Sequence, residues 1–176
     1  MTFSVRQLVP GDTETFIRLR REALDREPSA FLASPDDDRA LDPAFVREAF
    51  SSTSEATFGA FAPELVGIVG IGREPHRKAA HKAYVWGLYV TPTQRRNGIG
   101  RSLMVAALRF ARELRGVTHV HLGVAESNVS AIGLYERLGF VSWGIEPDAV
   151  RVGGELIAEH HLVLELNARA FSVEPA

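Results

Sequence analysis

The fold is decided by the stretch Trp86-Gly87-Leu88-Tyr89-Val90-Thr91-Pro92-Thr93-Gln94-Arg95-Arg96-Asn97-Gly98-Ile99-Gly100-Arg101-Ser102-Leu103. It reads as a strand, a glycine-containing turn and a helix that starts near Gly98. Such a helix start offers unpaired backbone N–H groups and a positive dipole end, and its glycines let an anion approach the backbone closely. Arg95, Arg96 and Arg101 add positive charge at the same place. The stretch therefore predicts a phosphate-binding turn.

Two widespread phosphate motifs do not fit this turn. A Walker A loop ending on Gly100-Arg101-Ser102 would put Arg95 in place of its first glycine and Arg101 in place of its lysine. A dinucleotide-binding fingerprint beginning at Gly98-Ile99-Gly100 would need its third glycine at the position that Leu103 occupies. The turn therefore belongs to neither motif class.

The segments next to the turn predict a helix after it and a run of strands before it. Leu103, Ala107 and Ala111, with Met104 and Leu108 beside them, form one apolar helix face. Apolar runs at 57–61 and 65–71, split by Ala62-Pro63-Glu64, indicate a hairpin, and 83–90 gives a third strand. Strands at this spacing are typical of an antiparallel meander.

The chain ends complete the expected order of elements. Residues 3–8 alternate like a strand, a helix follows Asp12, and a Pro-, Ser- and Asp-rich loop leads to a second helix at Pro43. Toward the other end, the pattern predicts a strand at 117–124, a helix at 128–138 capped by Gly139, a strand from Phe140 and a closing strand at 161–166. We predict an α/β (α+β) fold on a mixed, mostly antiparallel sheet.

Composition narrows the function classes. The chain has 176 residues and a formal net charge of −2, so no global basic field favours nucleic acid or an anionic membrane. It contains no cysteine, which excludes disulfides, thiolate metal sites and a cysteine-bound covalent intermediate. No apolar run approaches the roughly 20 residues that span a bilayer, and the first residues lack a signal core. We expect a cytoplasmic protein.

Two segments together resemble the GNAT (GCN5-related N-acetyltransferase) superfamily. Arg95-x-x-Gly98-x-Gly100 after a strand matches its Arg/Gln-x-x-Gly-x-Gly/Ala coenzyme A signature. Asn128-x-x-Ala131-x-x-Leu134-Tyr135-Glu136-Arg137-Leu138-Gly139-Phe140 stands at the place of its later motif. The specific resemblance covers about residues 86–140, and the order of elements extends it over the chain. It implies one GNAT acyl-CoA N-acyltransferase domain over residues 1–176, with about four helices on the sheet.

The resemblance implies roles for individual residues. Backbone N–H groups of Arg96, Asn97, Gly98, Ile99, Gly100 and Arg101 would hold the coenzyme A pyrophosphate, with Arg95 in the same turn. Leu88, Tyr89 and Val90, on a bulged strand, would bind pantetheine and polarise the acetyl carbonyl. Asn128 would contact coenzyme A, and Tyr135 would protonate the departing thiolate. Simpler interpretations stay open: Asn128 as a helix N-cap, Tyr135 as a packed aromatic, and the glycines as a tight turn.

The expected reaction is transfer of acetyl from acetyl-CoA to a small-molecule or peptide amine by direct attack in a ternary complex. A general base is not assigned by motif, because the strand before the turn lacks the glutamate found in some family members; Glu126, Glu159, His160 and a water chain are candidates. A non-catalytic acetyl-CoA sensor of the same fold is the alternative. A nucleotide-phosphate binder is a weaker one.

Three further predictions concern metal binding, the acceptor and assembly. His119-x-His121 places two imidazoles on one strand face without a third ligand signal, so we expect no metal. Asp36-Asp37-Asp38 lies where the family places its acceptor wall and can attract a cationic amine, with a solvated loop as the simpler interpretation. For assembly, the resemblance suggests a homodimer.

Overall fold

The computed structural model describes residues 2–166 and contains one seven-stranded sheet in that range. Its strands follow the order β1-β2-β3-β4-β5-β7-β6. They are β1 (Ser4–Gln7), β2 (Glu55–Phe61), β3 (Leu65–Arg73), β4 (Lys82–Val90), β5 (His119–Ala125), β6 (Val141–Val152) and β7 (Glu155–Glu165). The β4–β5 pair is parallel and the other recorded pairs are antiparallel. The predicted mixed sheet is therefore confirmed.

Four α-helices flank the sheet in the part of the chain that is described. They are α1 (Thr13–Arg26), α2 (Pro43–Ala49), α3 (Ile99–Glu113) and α4 (Val129–Arg137). Pro43 opens α2 as predicted, and the Asp42 side chain accepts a hydrogen bond of 2.8 Å from the N–H of Ala44. Gly139 follows α4 with φ 93°, the left-handed conformation expected at that position. Within residues 2–166, no helix is both long and apolar enough to cross a membrane.

Two apolar clusters cover opposite faces of the sheet. The larger contains the predicted apolar face of α3, with Leu103, Met104 and Ala107 fully buried, and α3 packs against β2, β3 and β4. The smaller packs the apolar stripe of α1, including Phe16, against Ile68 of β3. Although α3 and α1 lie on opposite faces, the turn before α3 and the end of α1 meet at the end of β4, where Arg95 donates hydrogen bonds to Val90 and Glu27.

The position of the last strand in the sheet differs from the prediction, because this strand does not form the sheet edge. β7 lies between β5 and β6, and β6 is the edge strand. A two-residue turn joins them, formed by Gly153 (φ 57°) and Gly154 (φ 91°), both in the left-handed region that such hairpins require. The hairpin thus folds back so that its second strand pairs with β5, which the order of strand signals along the chain does not reveal.

The middle of the sheet opens toward the ends of β4 and β5. Parallel pairing covers only Lys82, Ala83 and Tyr84 of β4, opposite residues 119–121 of β5. β4 also carries a bulge against β3, because the three-residue step from Trp86 to Tyr89 faces a two-residue step on β3, with Gly87 at φ 67°. No pairing of β4 with β5 is recorded after Tyr84 within residues 2–166, so from the bulge to Val90 the backbone edge of β4 has no strand partner on the β5 side.

Candidate active site

A cleft of about 900 Å³ occupies the gap between the separated ends of β4 and β5. Its walls are the end of β4, the turn before α3, the first two turns of α4, the end of β5 and the segment after α1. The residues that line it are Glu27, Ser29, Ala30, Phe31, Leu88, Tyr89, Val90, Gln94, Arg95, Arg96, Gly98, Ile99, Gly100, Arg101, Ala125, Ser127, Asn128, Val129, Ser130, Ala131, Gly133, Leu134 and Arg137. Most of the predicted cofactor residues are therefore brought to one cleft; Asn97 does not line it.

The turn before α3 presents backbone donors to this cleft. The first hydrogen bond of α3 runs from the N–H of Ser102 to the carbonyl of Gly98, at 3.0 Å. The N–H groups of Ile99, Gly100 and Arg101 precede that bond and have no acceptor within the helix. A Cβ at Gly98 would meet nothing within 4 Å, which leaves open space over the helix start. A pyrophosphate fits this arrangement because it needs several converging donors and close access to the backbone.

The backbone of the turn adopts two left-handed residues. Gly98 has φ 79° and Arg96 has φ 65°. Residues with a side chain rarely adopt this left-handed backbone conformation, whereas glycine adopts it readily. A non-glycine residue held there costs on the order of 1 kcal/mol, and such strain concentrates at ligand sites. The loop shape that exposes the N–H groups is thus maintained against a local conformational cost.

The three arginines of the turn are not equivalent. The Nε of Arg95 donates to the carbonyl of Val90 at 2.9 Å, and its Nη2 donates to Glu27 at 2.7 Å. Arg95 therefore ties the turn to β4 and to the end of α1. Arg96 and Arg101 are exposed beside the helix start. A phosphate role stays a prediction for all three arginines, and the Arg95 guanidinium is already engaged by Val90 and Glu27.

Asn128 is both an N-cap and a cleft residue. Its Oδ1 accepts a hydrogen bond of 3.2 Å from the N–H of Ala131, the cap that the simpler interpretation anticipated. The cap does not use the Asn128 side-chain amide nitrogen, which is a hydrogen-bond donor. Contact with coenzyme A therefore stays compatible with the capping role.

Tyr135 lies in the main core rather than on the cleft wall. It is 6% exposed, and its ring packs edge-on against Phe140 with centroids 5.9 Å apart. The α4 positions that line the cleft include Ser130, Gly133 and Arg137, on another side of the helix. Burial holds the pKa of the Tyr135 phenol well above its ordinary value, so the phenol keeps its proton at neutral pH. Its role as proton donor stays a prediction.

The end of β4 offers backbone rather than side chains. The Tyr89 side chain points to α1, where its hydroxyl donates to Glu22 at 2.9 Å. Burial, followed by the hydrogen bond to Glu22, raises the pKa of Tyr89 to about 12. Leu88 and Val90 pack partly against the main core. The unpaired backbone edge of β4 is thus the polar feature that this wall presents.

Among the candidate bases, Glu159 has the most enclosed carboxylate. It stands on β7 directly opposite Ala125, a cleft residue, and a Cβ at Gly123 would overlap its carboxylate. Its side chain is 29% exposed, against 63% for Glu126. His160 has a buried Nε2 without a hydrogen-bond partner in the described chain, 3.8 Å from Glu126. Glu159 is therefore the more enclosed of the two candidate carboxylates; its carboxylate lies over Gly123 and 3.8 Å from the Nδ1 of His161, and Glu159 does not itself line the cleft.

The acidic loop and the histidine pair were the two remaining candidates for a functional role. The aspartates of the loop make local contacts, and the histidine pair has no third metal-ligating neighbour in the described part of the chain. Asp37 accepts from the N–H of Ser34 at 2.6 Å, and Asp38 is buried in an ion pair with Arg20 at 2.7 Å. Asp37 and Asp38 thus stabilise the loop through local contacts, which differs from a plain solvated loop, while a role of the loop in attracting a cationic amine stays a prediction. The His119 and His121 rings lie 6.4 Å apart, and no group of three metal-ligating side chains occurs within residues 2–166.

The fold and this cleft define an α/β protein class in which two neighbouring strands separate beside an open helix N-terminus. The chain belongs to the acetyltransferase (GNAT) family, whose model matches residues 16–140. This finding confirms the resemblance drawn from the two sequence segments.

Solved structures share the fold at low sequence identity. The yncA protein of Salmonella typhimurium, solved with its cofactor acetyl-CoA, is 18% identical with a TM-score of 0.83, over 97% of this chain and 98% of its own. A GNAT acetyltransferase from Streptococcus pneumoniae is 20% identical with a TM-score of 0.82, over 94% of this chain and all of its own. These likenesses establish the architecture.

Curated relatives match over shorter stretches. The mycothiol acetyltransferase of Salinispora tropica is 42% identical over 73 residues, which is 42% of this chain and 23% of that protein. The streptothricin acetyltransferase of Streptomyces lavendulae is 42% identical over 77 residues, which is 44% of this chain and 40% of that protein. The chain thus matches less than half the length of either relative.

Proposed function

We propose that the protein transfers the acetyl group of acetyl-CoA to a primary amine. The observation that carries the proposal is the juxtaposition of an open helix N-terminus with the unpaired backbone edge of β4 across one cleft. One end holds a diphosphate, and the other holds a thioester carbonyl. Family membership supports the reaction class. The relatives named for mycothiol and streptothricin support a small-molecule amine as the acceptor.

The chain's own groups divide the work of binding. The N–H groups of residues 99–101, with Arg96 and Arg101, would hold the pyrophosphate, and Asn128 would border the same path. The edge of β4 after its bulge would hold the pantetheine arm and donate to the acetyl carbonyl oxygen. When bound, acetyl-CoA supplies the activated acetyl thioester. A donor that is fixed before reaction stabilises the oxyanion without a reorganisation cost.

Proton transfers need two groups at opposite ends of the reaction. The amine must lose a proton to attack, because an alkyl amine with a pKa of about 10 is mostly protonated at neutral pH. We assign this proton to Glu159. As the C–N bond forms and the C–S bond breaks, the departing sulfur needs a proton, for which the motif resemblance indicates the phenol of Tyr135. Because this phenol packs in the core behind the cleft wall, the role requires the bound thioester to reach it past Ala131 and Leu134, which line the cleft. The absence of cysteine fits direct attack without an acetyl-enzyme.

Replacing Glu159 with glutamine is expected to lower kcat/KM at about pH 7 by roughly 30-fold or more, because general bases contribute about 10² to 10⁴ in rate. The deficit should shrink as pH rises, since more of the amine is then already neutral. The measurement is the pH profile of kcat/KM with a fixed amine, between about pH 6 and 9.

Two variants serve as controls for the Glu159 assignment. Glu126→Gln alters an exposed carboxylate at the end of β5 and should leave the profile unchanged. Gly123→Ala keeps Glu159 but displaces its carboxylate, so it should reproduce part of the loss. A Glu159→Gln enzyme with the wild-type profile would assign the base elsewhere.

The proposal is tested by initial rates of thiol release from acetyl-CoA in the presence of polyamines, aminoglycosides, amino acids and short peptides. Amine-dependent release above the spontaneous rate supports the enzyme and identifies an acceptor class. Binding of acetyl-CoA without release on any amine favours the sensor alternative instead. Two further predictions are a cytoplasmic location, expected from the composition and checked by fractionation, and a homodimeric assembly, suggested by the family resemblance and checked by light scattering.

A further inference from the structure

Arg20 of α1 is a charged residue at a core position. Its side chain is 7% exposed, and its Nε donates to Asp38 at 2.7 Å in an ion pair whose other side chain is 8% exposed. Asp38 also accepts from the N–H of Ala40 at 2.9 Å, which fixes the carboxylate. The charges of Arg20 and Asp38 therefore compensate each other, and hydrogen bonds from Arg20 and from the N–H of Ala40 fix the carboxylate.

The Nη1 of Arg20 is buried and has no hydrogen-bond partner within residues 2–166. A buried guanidinium donor that lacks an acceptor is uncommon, because removing it from water without replacing the hydrogen bond is unfavourable. Asp38 already compensates the charge, so what Nη1 lacks is an acceptor atom. The shape of its surroundings indicates where that atom would come from.

Nη1 of Arg20 lies beside the bulge of β4. A Cβ built on Gly87 would stand 3.3 Å from Nη1, and the next residue, Leu88, lines the cleft. On another side, the guanidinium carbon lies 4.7 Å from the ring centroid of Phe31, which also lines the cleft. Arg20 itself does not line the cleft: the unpaired donor is buried directly behind Phe31 and the bulge of β4, next to the strand segment proposed to hold the acetyl group, so an acceptor oxygen would reach it through this wall.

We infer that Arg20 binds an oxygen atom of the acceptor substrate, a carbonyl or carboxylate oxygen separated by only a few bonds from the reacting amine. This inference rests on the proposed function. An N–H donor requires a lone pair, and both kinds of oxygen provide one. The separation must be short because the Nη1 of Arg20 lies beside Gly87, and the strand segment proposed to hold the acetyl group begins at the next residue, Leu88. The oxygen and the reacting amine of one acceptor would therefore bind at neighbouring positions. α-Amino acids, their amides and N-terminal residues of peptides share this chemistry.

The test uses matched acceptors that differ only beside the amine. For the phenylalanine, leucine and lysine skeletons, kcat/KM is measured for the amino acid, its carboxamide and the decarboxylated amine, each expressed per neutral amine from its pH dependence. The wild-type protein should prefer the oxygen-bearing members by about tenfold or more, because a site built to hydrogen-bond an oxygen rejects the analogue that lacks it. Equal kcat/KM for all three members would overturn the inference even if no variant were made.

Arg20→Lys keeps a cation opposite Asp38 but removes the planar donor fork. It should lower kcat/KM for the oxygen-bearing acceptors about tenfold, mainly through KM, while the decarboxylated amine changes less than about twofold and the Kd for acetyl-CoA is unchanged. Arg21→Lys, an exposed neighbour on α1, is the matched control. Loss with the acid alone identifies a carboxylate, and loss with acid and amide identifies a carbonyl oxygen.

An equal loss for all three acceptors, or a lower unfolding temperature with a weaker Kd for acetyl-CoA, would show that Arg20 acts only through the fold. Turnover without a preference for oxygen would remove this inference and leave the acetyltransferase function intact. Absence of turnover with every amine would remove the proposed function and the inference with it.

Discussion

Replacing Tyr135 with phenylalanine is expected to lower kcat about a hundredfold, because loss of a general acid removes roughly 10² to 10⁴ in rate. The Kd for acetyl-CoA should stay within about twofold, since Tyr135 does not line the cleft and its ring packs in the core against Phe140. Phenylalanine preserves that edge-on contact. The measurement is kcat at saturating amine, with cofactor binding titrated in parallel.

The raised pKa of Tyr135 adds a pH criterion. Burial favours the neutral phenol, so its deprotonation moves to higher pH than about 10, and Tyr135 should cause no loss of rate between about pH 6 and 9. Tyr84→Phe, a change of an exposed tyrosine on β4, is the control and should keep wild-type kcat. If Tyr135→Phe retained full kcat, Tyr135 would be a packed aromatic and the proton would come from another donor.

Replacing Arg96 and Arg101 together with alanine is expected to raise the Kd for acetyl-CoA about 30-fold. Each arginine is exposed, so we assign about 1 kcal/mol to each phosphate contact, less than the value for a buried charge-assisted bond, and each 1.4 kcal/mol is tenfold in Kd. The wild-type Kd should rise with salt, and the double variant should depend on salt less steeply. Calorimetric titration at two salt concentrations measures both effects.

A matched control for the arginine pair lies on the same helix. Arg109 is an exposed arginine of α3 outside the cleft, and Arg109→Ala should bind acetyl-CoA like the wild-type protein. At saturating cofactor, kcat of the double variant should be nearly normal, because the pyrophosphate is remote from the bonds that change. Unchanged cofactor affinity in the double variant would leave the backbone N–H groups as the main phosphate ligands.

The phosphate-binding turn could be predicted from the sequence because its determinants are local. Glycine spacing, the following apolar period and the adjacent arginines fix the start of α3, and the structure places Gly98 at that start in a left-handed conformation. The insertion of β7 between β5 and β6 could not be predicted in this way. Strand signals give the order along the chain, whereas pairing partners depend on contacts between distant residues.

The helix faces show a different limit of sequence reasoning. The resemblance gives both Asn128 and Tyr135 roles at the cofactor, and their spacing of seven residues favours one helix side, yet Tyr135 packs inward while Asn128 stands at the helix start and lines the cleft. A nine-residue helix does not settle which of its sides meets the sheet. The same holds for the acidic loop, because nothing local indicates that Asp38 pairs with Arg20, eighteen positions earlier.

Arg20 carried a signal that was available in the sequence. It falls within the helical spacing of Phe16, Leu19, Ala23 and Leu24, where a charged residue on an otherwise apolar face indicates a buried charge. Such a residue requires a partner, and only the fold identifies Asp38 as that partner and Gly87 as the neighbour of the remaining donor. The sequence therefore points to the position, while its chemistry depends on the tertiary structure.

The central claim is that this protein converts acetyl-CoA and an amine into an amide and free coenzyme A. The most direct test incubates purified protein with acetyl-CoA and an amine and measures released thiol together with the mass of the amine. We predict one acetyl group added to the amine for each thiol released, at a rate that depends on amine concentration. Tight binding of acetyl-CoA with no acetylated amine from any acceptor, or no binding at all, would contradict the account.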